Sequence, residues 1–137
     1  MDNKQAPGWR GQPTFMQQTV AKVSRDWSGF DLRGLDVRRI NFTDCNLTLV
    51  NLKGADLRGA YMRGANLTGA NLASCNFSDA YLLLANLQDA DLSGAIFHNT
   101  NLTRANLRGA LTLGAEFSEV TLTGARGIEG IKGLDAT

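Results

Sequence analysis

A five-residue period runs through most of this chain and limits its fold more than any other feature. From Phe30 the sequence divides without a gap into nineteen units of five, the last ending at Gly124. The third residue is large and apolar in eighteen units, and the second is Asn or Asp in thirteen. A period of five matches neither the helix (3.6) nor the flat strand (2.0). It predicts a short extended stretch followed by a corner.

The preferred residue at each position indicates which way its side chain points. Positions one and three lie two residues apart, so in an extended stretch they face the same side. Both are apolar, position one being Ala in most units, so both are expected to face a core. Position two faces outward, and positions four and five form the corner, where Gly tolerates a positive φ. One unit buries only two side chains, so the units must stack to close a core.

These units resemble the pentapeptide-repeat family, whose motif is A-(D/N)-L-x-x. The resemblance implies an all-β fold, a right-handed quadrilateral β-helix with four units per coil and just under five coils here. Residues twenty apart would then stack in columns. That stacking places Phe77, Phe97 and Phe117 in one column, and aromatic ladders of this kind pack well.

The repeat divides the chain into four predicted parts. Residues 1–14, with Pro7 and Pro13, are expected to form a flexible lead. Residues 15–29 are predicted to form an N-terminal capping helix over the first coil, because Met16, Val20, Val23 and Trp27 would share one helix face; a partner-binding helix is the alternative. Residues 30–126 would form the β-helix, and 127–137 a C-terminal cap or tail containing Ile128, Ile131 and Leu134.

The sequence offers little catalytic or metal-binding chemistry. His98 is the single histidine, and no phosphate-binding glycine motif is present. Cys45 and Cys75 occupy first positions one and a half coils apart, so we expect two buried thiols rather than a disulfide. We therefore predict no catalytic residues, no metal, no cofactor and no enzymatic activity.

Binding residues are expected where outward positions depart from the repeat. Tyr61 and Tyr81 replace Asn or Asp at position two, one coil apart, and Leu83 and Leu84 lie beside Tyr81. These four residues form a candidate partner-binding patch; bracing of the rod surface is the alternative. Further apolar residues at outward positions are Ile96, Leu111 and Leu113. A candidate basic patch comprises Arg33, Arg38, Lys53 and Arg58, unless neighbouring acids simply pair with it.

Charge and hydropathy narrow the class of function. The chain carries 14 basic and 13 acidic residues, which argues against nucleic acid as a partner. It has no apolar stretch of the ~20 residues that span a bilayer, and its first residues lack an apolar signal region. We therefore predict a binding or scaffold protein with a protein partner and no membrane insertion. It is expected to be cytoplasmic, the alternative being a mature form whose targeting segment is missing. The sequence leaves the oligomeric state open, with a monomer favoured. The alternative is a DNA mimic that protects or inhibits gyrase, but the repeat region nets only −1.

Overall fold

Parallel bridges between residues twenty apart organise the chain. The computed structural model describes residues 25–134. Bridges join second-position residues from Asp26↔Asn46 to Asn106↔Arg126, so four units make one coil of a β-helix. Residues 25–134 include two continuous strands, β1 (Ile96–His98) and β2 (Glu116–Ser118), which pair in parallel with Phe97 opposite Phe117. The described residues contain no helix.

Backbone hydrogen bonds explain why the extended pieces are so short. A third-position N–H donates to a second-position carbonyl of the next coil, as from Leu52 to Asn71 at 2.9 Å. A first-position N–H donates instead to the third-position carbonyl just before it, as from Ala60 to Leu57 at 3.0 Å. Each unit therefore ends in a turn closed by its own hydrogen bond, and the ladder restarts on the next side of the coil.

Every corner requires a left-handed residue at position five. From Gly29 to Gly124, φ at this position runs between 55° at Asn99 and 75° at Gly114. A larger side chain here extends over the equivalent residue of the next coil, which is then often glycine. Leu49, for example, covers Gly69, where an added Cβ would lie 2.9 Å from the Leu49 Cδ2. Gly69 thus adopts the positive φ without strain and leaves the Leu49 side chain in place.

The coil has four sides, which we call walls and define by their bridged second positions. The first wall carries Asp26, Asn46, Asn66, Asn86, Asn106 and Arg126. The second carries Asp31, Asn51, Asn71, Asp91 and Leu111. The third carries Asp36, Asp56, Asn76, Ile96 and Glu116. The fourth, which we call the tyrosine wall, carries Asn41, Tyr61, Tyr81, Asn101 and Thr121.

First and third positions fill the interior, as the repeat predicts. Third-position side chains are fully buried through the middle coils, with Leu67 and Leu87 at 0% exposure. The predicted phenylalanine column is present: ring centroids are 5.1 Å apart for Phe77–Phe97 and 4.9 Å for Phe97–Phe117, with nearly parallel planes. The core loosens in the last coil, where Thr112, Phe117 and Leu122 are half-buried.

The predicted N-terminal helix is wrong at its C-terminal end. Residues 1–24, which include the predicted lead and most of that helix, lie outside the described residues. Residues 25–29 form an additional repeat unit: Asp26 bridges Asn46, Trp27 is a buried third position, and Gly29 has φ 72°. Trp27 fitted one face of a helix and the third position equally well. The motif Arg-Asp-Trp-Ser-Gly was the signal that the helical pattern obscured.

At the other end the chain turns inward across the last coil. Gly127 falls at a third position with φ 77°, and an added Cβ would lie 2.6 Å from the Arg108 Cα. Ile128, Ile131 and Leu134 follow; they are half-buried and pack against the core cluster. This segment lies where the C-terminal cap was predicted.

Candidate functional site

The outward Asn and Asp residues have a structural role that the sequence pattern did not reveal. Each one at position two accepts a hydrogen bond at Oδ1 from the backbone N–H two residues later. At Asn41 this bond, from Thr43, is 3.1 Å long. It is an Asx turn, which satisfies a donor that the ladder leaves unpaired. A residue of another type at position two gives up this bond.

Tyr61 and Tyr81 lack this Asx-turn hydrogen bond and form an exposed aromatic pair instead. Their ring centroids are 5.2 Å apart with planes 3° from parallel. The two side chains remain 47% and 45% exposed, so the pair is on the surface of the rod. The backbone bridge between the two residues fixes this stack. The tyrosine wall therefore presents a rigid amphipathic strip where the repeat would otherwise place amides.

Leu84 extends this strip at an energetic cost. It is 45% exposed, and its φ of 61° lies in the left-handed region. For a residue with a Cβ that conformation costs roughly 1–2 kcal/mol, and exposure leaves little burial to offset it. Leu83, beside it, is half-buried. The structure thus places all four residues of the predicted patch on one wall.

The predicted basic patch is divided and largely neutralised. Arg33 and Lys53 lie on the second wall, whereas Arg38 and Arg58 lie on the third. Three of these cations pair with the Asp of their own unit: Arg33 with Asp31 at 2.8 Å, and Arg38 with Asp36 and Arg58 with Asp56 at 2.6 Å each. The hydrogen bonds from Arg38 and Arg58 lower the pKa of Asp36 and Asp56. These three arginines therefore fit the alternative interpretation, in which neighbouring acids simply pair with the basic residues.

Other irregular features lie away from the tyrosine wall. Leu49 is 66% exposed on the first wall, and sequence analysis did not select it. Leu111 and Leu113 are exposed near the C-terminal end, where a cleft of about 530 Å³ lies between the last coil and Gly130–Gly133. A shallow cavity of about 270 Å³ on the third wall is lined by Arg38, Arg39, Arg58, Gly59 and Asp79. Ile96 is half-buried on the same wall.

His98 and the acids near it do not assemble a metal site. His98 Nδ1 lies 2.8 Å from Ser118 Oγ, and its Nε2 lies 3.9 Å from Glu119 on the exposed third wall. Among residues 25–134, no three His, Cys, Asp or Glu side chains converge to hold a metal ion. That part of the chain also has no helix long and apolar enough to cross a membrane.

Both cysteines are buried and unpaired, as predicted. Cys75 Sγ donates to the Leu52 carbonyl at 2.9 Å, and burial raises the pKa of this thiol to about 12. Burial also raises the pKa of Cys45. Thr100 makes the equivalent contact, donating to the Phe77 carbonyl at 2.8 Å, so a small polar group at position one can be satisfied inside the rod.

We expect neither cysteine to react with a thiol reagent in the native protein. The thiolate is the nucleophile, and burial both disfavours it and excludes the reagent. In denaturant without reductant, both thiols should react. Ser74→Cys, which puts a thiol at the adjacent exposed corner, serves as the reactive control. Rapid native labelling of Cys45 or Cys75, or an unreactive pair after unfolding, would contradict this prediction.

Comparison with known proteins identifies the repeat. The family model of pentapeptide repeats matches residues 28–64, 60–99 and 100–126, with eight copies. Among solved structures, HetL of the cyanobacterium Nostoc, involved in regulation of heterocyst differentiation, is 29% identical over 73% of this chain and 60% of its own, with a TM-score of 0.62. No curated protein matches the chain.

Two other solved pentapeptide-repeat proteins support the same fold. One from the thylakoid lumen of Arabidopsis thaliana is 35% identical over 73% of this chain and 59% of its own, with a TM-score of 0.52. One from the cyanobacterium Cyanothece is 28% identical over 82% of this chain and 94% of its own, with a TM-score of 0.53. This chain spans about 60% of the length of the HetL and Arabidopsis chains. It is a member of the pentapeptide-repeat family, with that family's right-handed β-helix fold.

Proposed function

We propose that this chain is a non-enzymatic binding protein that holds a protein partner on its tyrosine wall. The observation that carries the proposal is the stacked, half-exposed pair of Tyr61 and Tyr81, which replaces two Asx turns. Tyrosine is enriched at interface hot spots, because it buries a large area at a low cost in side-chain entropy. Leu84, exposed and left-handed, adds apolar area that contributes nothing to the core.

The alternative of a gyrase-binding DNA mimic has less support. Such a mimic needs a continuous negative face. Residues 65–103 contain no Lys or Arg, and their three acids are Asp79, Asp89 and Asp91. The coil register distributes these acids over the third, first and second walls respectively. No single wall gains a negative stripe from them.

A double variant separates binding from stability. Tyr61→Asn with Tyr81→Asn restores two Asx hydrogen bonds, each worth about 1 kcal/mol, while removing a stacking term of about 0.5–1.5 kcal/mol. We expect the variant to unfold at the same or a higher temperature and to lose its partner. Affinity capture from the native host, quantified by mass spectrometry for both proteins, measures that loss.

The matched control is Leu111→Asn, because it also replaces an exposed apolar second position by the consensus residue, but on the second wall. It should retain every partner that the wild type captures. A partner captured equally by wild type and the tyrosine double variant would mean that the tyrosines are structural. Stoichiometric protection of gyrase by the purified protein would favour the DNA-mimic alternative instead.

A further inference from the structure

On the tyrosine wall, one arginine lacks the Asp partner that three arginines at the same repeat position have on other walls. Arg33, Arg38 and Arg58 each follow an Asp by two residues and pair with it. Arg63 occupies the same position four, but Tyr61 stands where that Asp would be. Arg63 is exposed, and within residues 25–134 it forms no ion pair. The tyrosine substitution therefore creates an aromatic surface and frees a guanidinium beside it.

A second arginine lies on the opposite side of the aromatic strip along the rod. Arg104 follows Leu84 in the same column of corners, and its side chain extends over Gly124. It too is exposed and has no ion-pair partner in the described part of the chain. Asp44 is the acid on this wall; it lies over Gly64 and pairs with neither arginine. The wall therefore has a net positive charge around an apolar centre.

The coil register sets the spacing between these two cations. The unit of Arg63 is bridged to the unit of Tyr81, which is bridged in turn to the unit of Arg104. Two steps of ~4.8 Å separate their backbones along the rod axis by about 10 Å. The Arg104 side chain extends over Gly124, so its guanidinium reaches up to one step further, about 14 Å from Arg63. An extended chain rises ~3.3 Å per residue, so residues three to four apart would match these separations. Apolar residues between them would lie against Tyr81 and Leu84.

We propose that the partner of the tyrosine wall is an acidic protein segment running along the rod axis, with two carboxylates three to four residues apart around an aromatic or aliphatic side chain. This inference rests on the proposed function and specifies the chemistry of the partner. Charge complementarity selects the segment: Arg63 and Arg104 each receive one carboxylate, and the tyrosine pair receives the apolar side chain. Arginine suits this role because its planar fork binds a carboxylate through two hydrogen bonds.

The test is a selection of random peptides displayed on phage against the full chain, followed by affinity measurements on the selected peptides. We expect enrichment of Asp and Glu three to four residues apart around an apolar residue. Arg63→Gln with Arg104→Gln should weaken binding by about tenfold, the loss expected when two exposed ion pairs are removed. Lys53→Gln with Arg108→Gln removes the same charge from other walls and should leave binding unchanged.

The outcomes distinguish this inference from the proposed function. Peptides that require Tyr61 and Tyr81 but bind the Arg63/Arg104 variant normally would overturn the acidic segment and leave the tyrosine wall as the binding surface. Selection of no peptide that depends on the tyrosines would overturn both. Short duplex DNA is the remaining probe. If its binding needs Arg63 and Arg104 while no peptide does, the ligand is nucleic acid and the proposed segment is wrong.

Discussion

Leu87→Asp should leave the protein largely unfolded at room temperature. Leu87 is fully buried at the centre of the first wall, in a column with Leu67 and Leu107. Removing its side-chain volume alone costs about 2–5 kcal/mol. An unpaired carboxylate there would cost several kcal/mol more, because no donor in the column can reach it without leaving the ladder. Domains of this size are stable by only about 5–15 kcal/mol.

Asn86→Asp is the matched control, because it introduces the same carboxylate one residue away but on the outside of the rod. Asp replaces Asn as the acceptor of the Asx turn at five other second positions, so this variant should melt close to the wild type. Circular dichroism and thermal melting of both variants measure the difference. If Leu87→Asp melted like Asn86→Asp, the inward register of the third position would be wrong.

The fold was predictable because the same choice is repeated in every unit. One unit with an apolar third residue would not show which position faces the core. Eighteen units with a large apolar third residue do, because no other choice of inward position gives an apolar core. The prediction for residues 25–29 was wrong because this repetition is missing at the edge of the array. One unit at the edge of the array, with Trp27 in place of Leu, also satisfied a helical spacing, and no neighbouring unit before it resolved the choice.

The site was less predictable, because hydrogen bonds at the surface do not follow from periodicity. The pattern showed that Tyr61 and Tyr81 interrupt the Asn and Asp column, and the structure stacks them. It did not show that Asn and Asp are backbone acceptors, so the bond lost at each tyrosine was not apparent. Nor could it show that Arg38 and Arg58 bind the Asp of their own unit, because that depends on side-chain geometry within one unit.

The position of a residue along the rod determines how many coils lose packing contacts when that residue is replaced. In a solenoid each repeat contacts only its neighbours, so stability is a sum of repeat and interface terms. A buried residue in a middle coil packs against the coils on both sides, whereas one in the last coil packs against a single neighbouring coil. The phenylalanine column offers both positions for the same residue type. Phe97 lies between two rings, and Phe117 lies at the end of the column.

Phe97→Ala should therefore cost about 3–5 kcal/mol of unfolding free energy, the usual range for a buried phenylalanine. Phe97 is fully buried, and its loss removes two stacked contacts and opens a cavity in the fourth coil. Phe117→Ala should cost clearly less, because Phe117 is half-buried and loses one contact. Phe97→Leu restores the commonest third-position residue, so it should fall between the wild type and Phe97→Ala.

Urea denaturation of the three variants provides the measurement, since the midpoint and the slope are fitted separately. A lower midpoint with an unchanged slope for Phe97→Ala means that the coils still unfold as one unit, so the whole loss appears in a single transition. Two transitions would mean that the cavity uncouples the coils on either side, which the nearest-neighbour description also permits. Equal losses for Phe97→Ala and Phe117→Ala would contradict the argument, because they would show that stacking between two rings adds nothing to stacking on one.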